Sequence, residues 1–282
     1  MLIKSTCLMA RILIVTRTKN RGILLRRAIN SVSSQTYHDW HHVIVNDGGS
    51  LSDIENILSE LPEKDKSNTS VIHNNISFGM EHASNIGIKS HNSELIAIHD
   101  DDDTWEKNFL EKVVAVIDNN NYCGVVCHTS QIFEEIKGKS IIKKSNRYFD
   151  PLLNNKISHT NLEKKNQFLP ISFVFTRRAY NELGGYDEAF QVCGDWDFHY
   201  RFLKRYPVFI IKERLANYHI RTSTSNTCSD ITNSVKKTSL HKKYTMLFYE
   251  KHNIDPNARK FPTLYDNAVL KTIRQLYRFL LK

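Results

Sequence analysis

The chain has 282 residues, of which 40% are hydrophobic and 24% charged, and its formal net charge is +9. That composition supplies ample material for a globular core and suits one large domain, or one domain with an extension. No run is long and apolar enough to span a bilayer, and the five cysteines (Cys7, Cys123, Cys127, Cys193 and Cys228) are spaced like neither a zinc site nor a disulfide framework, so they read as reduced cytoplasmic thiols.

The first ten residues are weakly apolar, but the apolar stretch is broken and no small-residue cleavage site follows, which argues against a signal peptide. Met9 is then an alternative start. Arg11–Val15 reads as a strand, and Leu25, Ala28, Ile29 and Val32 lie on one helical face. His41–Val45 is a strand ending in the turn signal Asn46-Asp47-Gly48-Gly49-Ser50. Ile54, Ile57 and Leu58 mark a second helix, Val71–His73 a short strand, Met80–Ile88 a third helix and Leu95–His99 another strand. This alternation predicts an α/β fold, a mostly parallel sheet with helices on both faces. Ligands of such sheets bind beyond the carboxyl ends of the strands, where Asp47 and Asp100 both fall.

The run Asp100-Asp101-Asp102-Asp103 follows the apolar Leu95–Ile98 and precedes Thr104-Trp105. Adjacent carboxylates repel one another, so the run implies a positive partner, and hard divalent cations prefer carboxylate oxygens. A cation held by one or two carboxylates completes its shell with water and phosphate. The run therefore points to metal-assisted chemistry on a phosphorylated substrate, and the basic chain around it favours anionic partners.

Helix Asn108–Asp118 follows, then an apolar, β-rich segment Gly124–Phe133. Residues Lys137 to Gln167 are polar and rich in Asn and Lys; they read as an irregular, partly mobile excursion over the site. Leu169–Thr176 is a strand, Arg177–Leu183 a short helix closed by Gly184-Gly185, and Asp195–Tyr206 a helix stopped by Pro207. Val208–Ile211 and Leu215–His219 read as two further strands. Thr222–Asn233 is a polar linker or mobile loop, and helical segments follow at Ser234–Lys251 and Asp266–Lys282. In the last helix Val269, Leu270, Ile273, Leu276, Tyr277, Leu280 and Leu281 form an apolar face, and Lys271, Arg274, Arg278 and Lys282 a cationic one. That pattern suits a helix lying on an anionic membrane surface and, equally, a terminal helix docked on the protein's own core.

Taken in order, these landmarks resemble the inverting GT-A glycosyltransferases of family 2, over roughly Arg11 to Ser225. Ile12–Arg21 looks like the family's first strand and nucleotide-contacting loop. Ser31-Val32-Ser33-Ser34-Gln35-Thr36-Tyr37 is similar to its S-x-x-x-Q-T-Y helix end, and Val43–Ser50 to its I-V-D-D-G-S turn. Asn85 with Gly87-Ile88 resembles its N-x-G/A-I helix, and Ile98–Trp105 its L-D-x-D-D-x-W segment. Leu183–Asp187 and Gly194–Phe198 resemble its L-G-G-F-D and E-D-W-D-L segments.

The resemblance implies a GT-A catalytic domain at residues 1–225, a C-terminal helical extension at 226–282, and a cytoplasmic enzyme, peripheral at the inner membrane face if residues 266–282 bind lipid. It implies a nucleotide-sugar donor, first of all a UDP-sugar, and a glycan or lipid-linked glycan acceptor. A Mn²⁺ or Mg²⁺ ion would neutralise the diphosphate leaving group as a Lewis acid. Asp102 is then the expected metal ligand, with His219 as a second candidate. Asp100 would approach the ribose, Asp101 would assist, and Asp103 would cap the next helix. Asp47 would accept hydrogen bonds from the base, although Asp before Gly48-Gly49 is also plain turn chemistry. Thr16, Arg17 and Thr18 would complete the nucleotide site. Asp195 would be the general base of a single inverting displacement, unless it only caps its helix; Asp197 is the runner-up.

The chain departs from the family pattern in three places. Gly194 stands where the family has Glu, Ser84 where it often has Arg, and Tyr218-His219-Ile220-Arg221 exchanges the His and Arg of a Y-R-x-H run. Arg17, Lys19 or Arg21 would supply a lost diphosphate contact, and Arg221 would bind the diphosphate if His219 does not reach the metal. A degenerate, non-catalytic sugar-nucleotide binder is the alternative. A nucleotidyltransferase would need a glycine-rich phosphate loop, and Thr16–Gly22 has one glycine. The cations are dispersed and form no recognisable nucleic-acid module, so no nucleic-acid partner is expected.

Overall fold

The structure is a computed structural model that describes residues 10–138, 140–149, 156–221 and 239–256. The chain divides into two compact units, residues 1–244 and 245–282. The expected membrane-facing helix at 266–282, the polar linker and the residues before Ala10 lie outside the described residues.

Among the described residues one nine-stranded sheet organises the first unit, in the order β3-β2-β1-β4-β8-β6-β9-β5, with β7 paired to β6. Strands β1 (Ile12–Thr18), β2 (Trp40–Asp47), β3 (Thr69–Asn74) and β4 (Leu95–Ile98) form its parallel half. Every side chain of β1 and β4 is buried, as expected of parallel strands covered on both faces. The second half is mixed: β8 (Phe173–Thr176) runs antiparallel to both β4 and β6 (Gly124–Lys137), whereas β6 and β9 (Val208–Arg221) run parallel. The two-residue β5 (Thr104–Trp105) pairs antiparallel with β9 directly after the acidic run.

Helix α1 (Gly22–Ser33) turns Leu24, Leu25, Ala28, Ile29 and Val32 inward, the face expected from its 3.6-residue spacing. Helix α2 (Leu51–Ser59) starts at Ser50, whose side chain accepts from the Asp53 amide. A short helix α3 (Glu63–Ser67), with no buried residue and so no apolar period to announce it, follows. Helix α4 (Met80–Lys89) lies very close to the sheet: a Cβ on Gly87 would come within 2.5 Å of Val15 Cγ1. Helix α5 (Phe109–Asn120) ends in a left-handed Asn121.

The region from Lys137 to Gln167 corrects the expectation of an irregular excursion. Ser140–Tyr148 is strand β7, an edge strand paired to β6, and His159–Leu162 forms a helical turn, α6. Strand β7 shows no alternation because nearly all its side chains are exposed on both faces; pairing and ion pairs such as Lys144–Glu135 at 2.8 Å hold it instead. The strand predicted over Leu169–Thr176 begins later, after a 3₁₀ turn at Pro170–Ser172. The two strands predicted over 208–219 are one, with polar Lys212 and Glu213 falling where the register against β6 shifts between Cys127 and His128. Helix α7 (Arg177–Leu183), helix α8 (Gly194–Arg205) and helix α9 (Ser239–Lys251) complete the described elements.

Candidate active site

The parallel strands deliver their carboxyl ends to one edge, and the polar clusters gather there. Two sequence segments fix the exit of the acidic run. Gln35, just past α1, donates to the carbonyl of Glu106 at 2.9 Å and accepts from the Leu110 amide at 3.1 Å. Ser31 Oγ accepts from the Trp105 amide at 2.7 Å, and the Trp105 indole donates to the Ile171 carbonyl. The Ser-to-Gln helix end therefore clamps the backbone just after the four aspartates.

Those aspartates have different surroundings. Asp100 is the most open, with its side chain 27% exposed, and it accepts from the Arg17 guanidinium. Asp101 is buried; its two oxygens accept from Thr18 Oγ1 at 2.7 Å and from Arg21 Nη1 at 2.9 Å. Burial pushes its carboxyl up, against the pull of Arg21. Asp102 accepts from Arg221, and Arg21 lies 3.5 Å from the same oxygen. Asp103 is fully buried and accepts from the His219 amide at 2.9 Å. It does not cap α5, whose N-cap residue is Asn108; it ties the run to β9.

Behind Asp102 lies a buried network that the sequence did not announce. Glu134, from β6, accepts from Arg221 at 2.6 Å, from Arg27 at 2.7 Å and pairs with His219 Nδ1 at 2.8 Å. Burial alone would raise the Glu134 carboxyl, but the His219 and Arg27 contacts hold it down at about 2. The other ring nitrogen of His219 is 2.9 Å from Thr104 Oγ1, so both nitrogens are engaged. Exchanging His and Arg in the Tyr218–Arg221 run thus places a guanidinium, not an imidazole, on Asp102.

The remaining expected nucleotide contacts are spread along the same edge. Thr16 is buried, with its hydroxyl 2.8 Å from His42 Nε2. Asp47 is enclosed by the segment after β3: it accepts from Asn74 at 2.9 Å, Ser77 at 2.7 Å, and the amides of Phe78 at 3.0 Å and Gly79 at 2.9 Å. Although burial raises it, these donors together keep its carboxyl below the usual range. The turn that carries it needs its glycines; Gly48 has φ +82° and a Cβ there would stand 2.6 Å from the Ser77 amide. Arg17, buried, also donates to Ser84 Oγ at 3.2 Å. Its guanidinium thus lies beside the position where the family pattern often has Arg.

Asp195 sits in the first turn of α8, after Cys193 in a left-handed conformation (φ 66°). Its Oδ2 accepts from Asn166 Nδ2 at 2.8 Å. Asn166 in turn contacts His199 at 3.1 Å, so a residue of the polar excursion orients the candidate base, a role with no sequence signal. Burial lifts the Asp195 carboxyl to about 6 despite the Trp196 amide and Arg17. Asp197 is fully buried and pairs with Arg201 at 2.8 Å, which also donates to the carbonyls of Leu183 and Gly185. That commits Asp197 to the Gly184-Gly185 turn. Asn85 is likewise structural, bridging Tyr180, Tyr186 and Glu188.

Among the described residues, no group of three or more His, Cys, Asp or Glu side chains is arranged to hold a metal ion. Asp102, the residue expected to ligate a divalent cation, accepts here from Arg221, with Arg21 3.5 Å from the same oxygen. The Asp102 carboxylate is a hard ligand, and an ion bound by one protein carboxylate takes the rest of its shell from phosphate and water.

The fold and the sequence have known counterparts. The chain is 26% identical over 269 residues to YwdF, an uncharacterized glycosyltransferase of Bacillus subtilis, covering 93% of this chain and 91% of that protein. It is 25% identical to the Campylobacter jejuni GalNAc(5)-diNAcBac-PP-undecaprenol beta-1,3-glucosyltransferase, over 49% of this chain and 45% of that one. In three dimensions it resembles residues 1–349 of S. aureus TarS, solved with UDP, with a TM-score of 0.59 at 13% identity. That match covers 74% of this chain and 60% of the TarS fragment. It also resembles the mannosyltransferase PcManGT of Pyrobaculum calidifontis, solved with GDP-Man and Mn2+, with a TM-score of 0.59 at 14% identity, over 87% of this chain and 64% of that one. The fold is therefore that of the GT-A enzymes. The sequence profile described as "Glycosyl transferase family 2" matches residues 13–184, from the second residue of β1 to the glycine that ends α7, and the chain is a glycosyltransferase of that family.

Proposed function

We propose that this glycosyltransferase moves a sugar from a nucleoside-diphosphate donor, first of all a UDP-sugar, to a hydroxyl of a growing surface glycan such as lipopolysaccharide or capsule. The reaction is a single in-line displacement with inversion. Asp195 removes the proton of the acceptor hydroxyl as its oxygen attacks the anomeric carbon. The observation that carries this reading is the Asp195 carboxyl, held by Asn166 and lifted by burial to about 6, so that it is ionised and still basic at neutral pH. UDP bound to TarS and GDP-mannose bound to PcManGT support a nucleotide donor. The undecaprenol-linked acceptor named for the Campylobacter relative supports a lipid-linked glycan here, met by a cytoplasmic enzyme at the inner membrane face.

Arg17 and Arg21 supply positive charge to the diphosphate edge, and Asp100 is exposed enough to meet the ribose. Asp47 shapes the base pocket through the segment that encloses it, and Thr16 and Thr18 support the strand end beneath. Asp102 would hold a Mn²⁺ or Mg²⁺ ion, which would act as a Lewis acid on the departing diphosphate. Arg221 orients Asp102 and keeps the buried carboxylates compensated. Turnover of UDP- and GDP-sugars by the purified protein tests the reading: a nucleotide-selective donor hydrolysis or transfer lost in Asp195→Asn supports it. Tight nucleotide binding with no turnover in any acceptor mixture favours a non-catalytic binder.

A further inference from the structure

Glu81, the second residue of α4, is 2% exposed. Its closest cation is Arg17, whose Nη1 lies 3.8 Å from Oε2, beyond hydrogen-bond reach, and Oε2 has no hydrogen-bond partner. A buried ionised carboxylate paired so loosely is costly. The groups facing it come from several elements: Arg17 on β1, Asp100 after β4, Asp195 and Asp197 on α8, and Tyr186 in the turn after α7. Four of the five are acids. Burial first, then repulsion from Asp195, Asp100 and Asp197, pushes the Glu81 carboxyl up to about 8, against the attraction of Arg17.

The side chain has its place because residue 194 has none. A Cβ built on Gly194 would stand 2.5 Å from the Cγ, Cδ and Oε1 atoms of Glu81. The carboxyl of Glu81 therefore lies against the first residue of α8, next to Asp195, and Arg17 stands between it and Asp100.

We infer that Glu81 is a positioning residue of the transferase site: as a neutral acid it fills the volume beside Gly194 and leaves the charge of Arg17 directed at Asp100 and the incoming diphosphate. This rests on the nucleotide-sugar reading above. When Glu81 loses its proton, the new anion competes with the diphosphate for Arg17, and nucleotide affinity falls.

UDP affinity measured calorimetrically at pH 7 and pH 9 tests the inference, together with the infrared band of protonated carboxyls in protein carrying ¹³C-labelled glutamate. In the native protein UDP affinity falls by up to about tenfold over this interval, the limit for binding that needs a proton held with a pKa midway. In Glu81→Gln, which keeps the shape and cannot ionise, the fall disappears. A glutamic-acid band titrates near pH 8 in the native protein and is missing in Glu81→Gln. No alkaline fall in the native protein, an equal fall in Glu81→Gln, or no such band overturns the inference. The native measurements need no variant to fold. Failure of the transferase reading looks different: no Asp195-dependent turnover of any nucleotide-sugar, with the infrared titration unaffected.

Discussion

Gly194 and Glu81 share one volume: a Cβ on the glycine would lie 2.5 Å from three atoms of the glutamate side chain. In Gly194→Ala the Glu81 carboxyl must therefore move within a buried site. Overpacking of this kind costs about 1–3 kcal/mol. Glu81→Ala with Gly194→Ala should recover part of that loss, so the two changes are strongly non-additive. Denaturant melts of the single and double variants check this; additive losses would mean that the two residues do not compete for space.

Glu81 also predicts how stability varies with pH. Its carboxyl is raised from 4.5 to about 8 in the folded chain. A raised group contributes stability that is complete below its unfolded value and is lost as pH rises through the folded one. The native protein should lose stability relative to Glu81→Gln between those limits, by about 2 kcal/mol or more. Melting temperatures of both proteins from pH 4.5 to 9 measure it, and parallel curves would contradict it.

Glu134 has the opposite sign. Held at about 2 by His219 and Arg27 against its burial, its contribution is present above the ordinary carboxylate range and lost as pH falls through the folded value. Glu134→Ala leaves the Arg221 guanidinium, 2% exposed, without its 2.6 Å partner. Removing one member of a buried pair costs about 3–5 kcal/mol. Glu134→Ala should therefore unfold far more easily than a change at half-buried Glu135, and Asp102 should lose the arrangement that Arg221 gives it. Equal melting of the two variants would remove the network from the account.

Asp47→Asn tests the segment after β3. The amide removes the charge and replaces one acceptor oxygen with a donor, which faces either Asn74 and the Phe78 amide or Ser77 and the Gly79 amide. Hydrogen exchange should accelerate at the Phe78 and Gly79 amides, and nucleotide affinity should weaken with the pocket wall. Unchanged exchange at those amides would contradict the enclosure of Asp47.

Strands β1, β2 and β4 were legible because they are buried on both faces and carry apolar runs, while α1 and α2 show clean helical periods. The strand ends marked Asp47 and the acidic run for the same reason. Strand β7 was not legible: an edge strand exposed on both faces has no alternation to display. Asp195 was visible through its place in a recognisable segment, but its partner Asn166 was not, because one Asn in a polar stretch carries no period. Glu134, Glu81 and Arg221 were equally hidden in their roles. Their importance lies in contacts between β1, α4, β6, β9 and α8, which no local pattern encodes. The departures at Ser84 and Gly194 were visible as departures; only the structure puts Arg17 beside one and Glu81 beside the other.

Asn166 offers a test of the base itself. Its hydrogen bond to Asp195 favours the ionised form. Asn166→Ala should move the acidic limb of donor turnover above pH 6 and lower turnover at neutral pH. An acidic limb that does not shift would detach Asn166 from the base.

The most direct measurement is donor turnover by the native protein and Asp195→Asn from pH 5 to pH 9, with nucleotide affinity measured in parallel. Native turnover should fall as pH drops through about 6, where Asp195 takes up its proton. Turnover should drop about 10²–10⁴-fold in Asp195→Asn, with nucleotide affinity retained. Undiminished turnover in Asp195→Asn, or an acidic limb that survives the substitution, would contradict the role of Asp195 as the base.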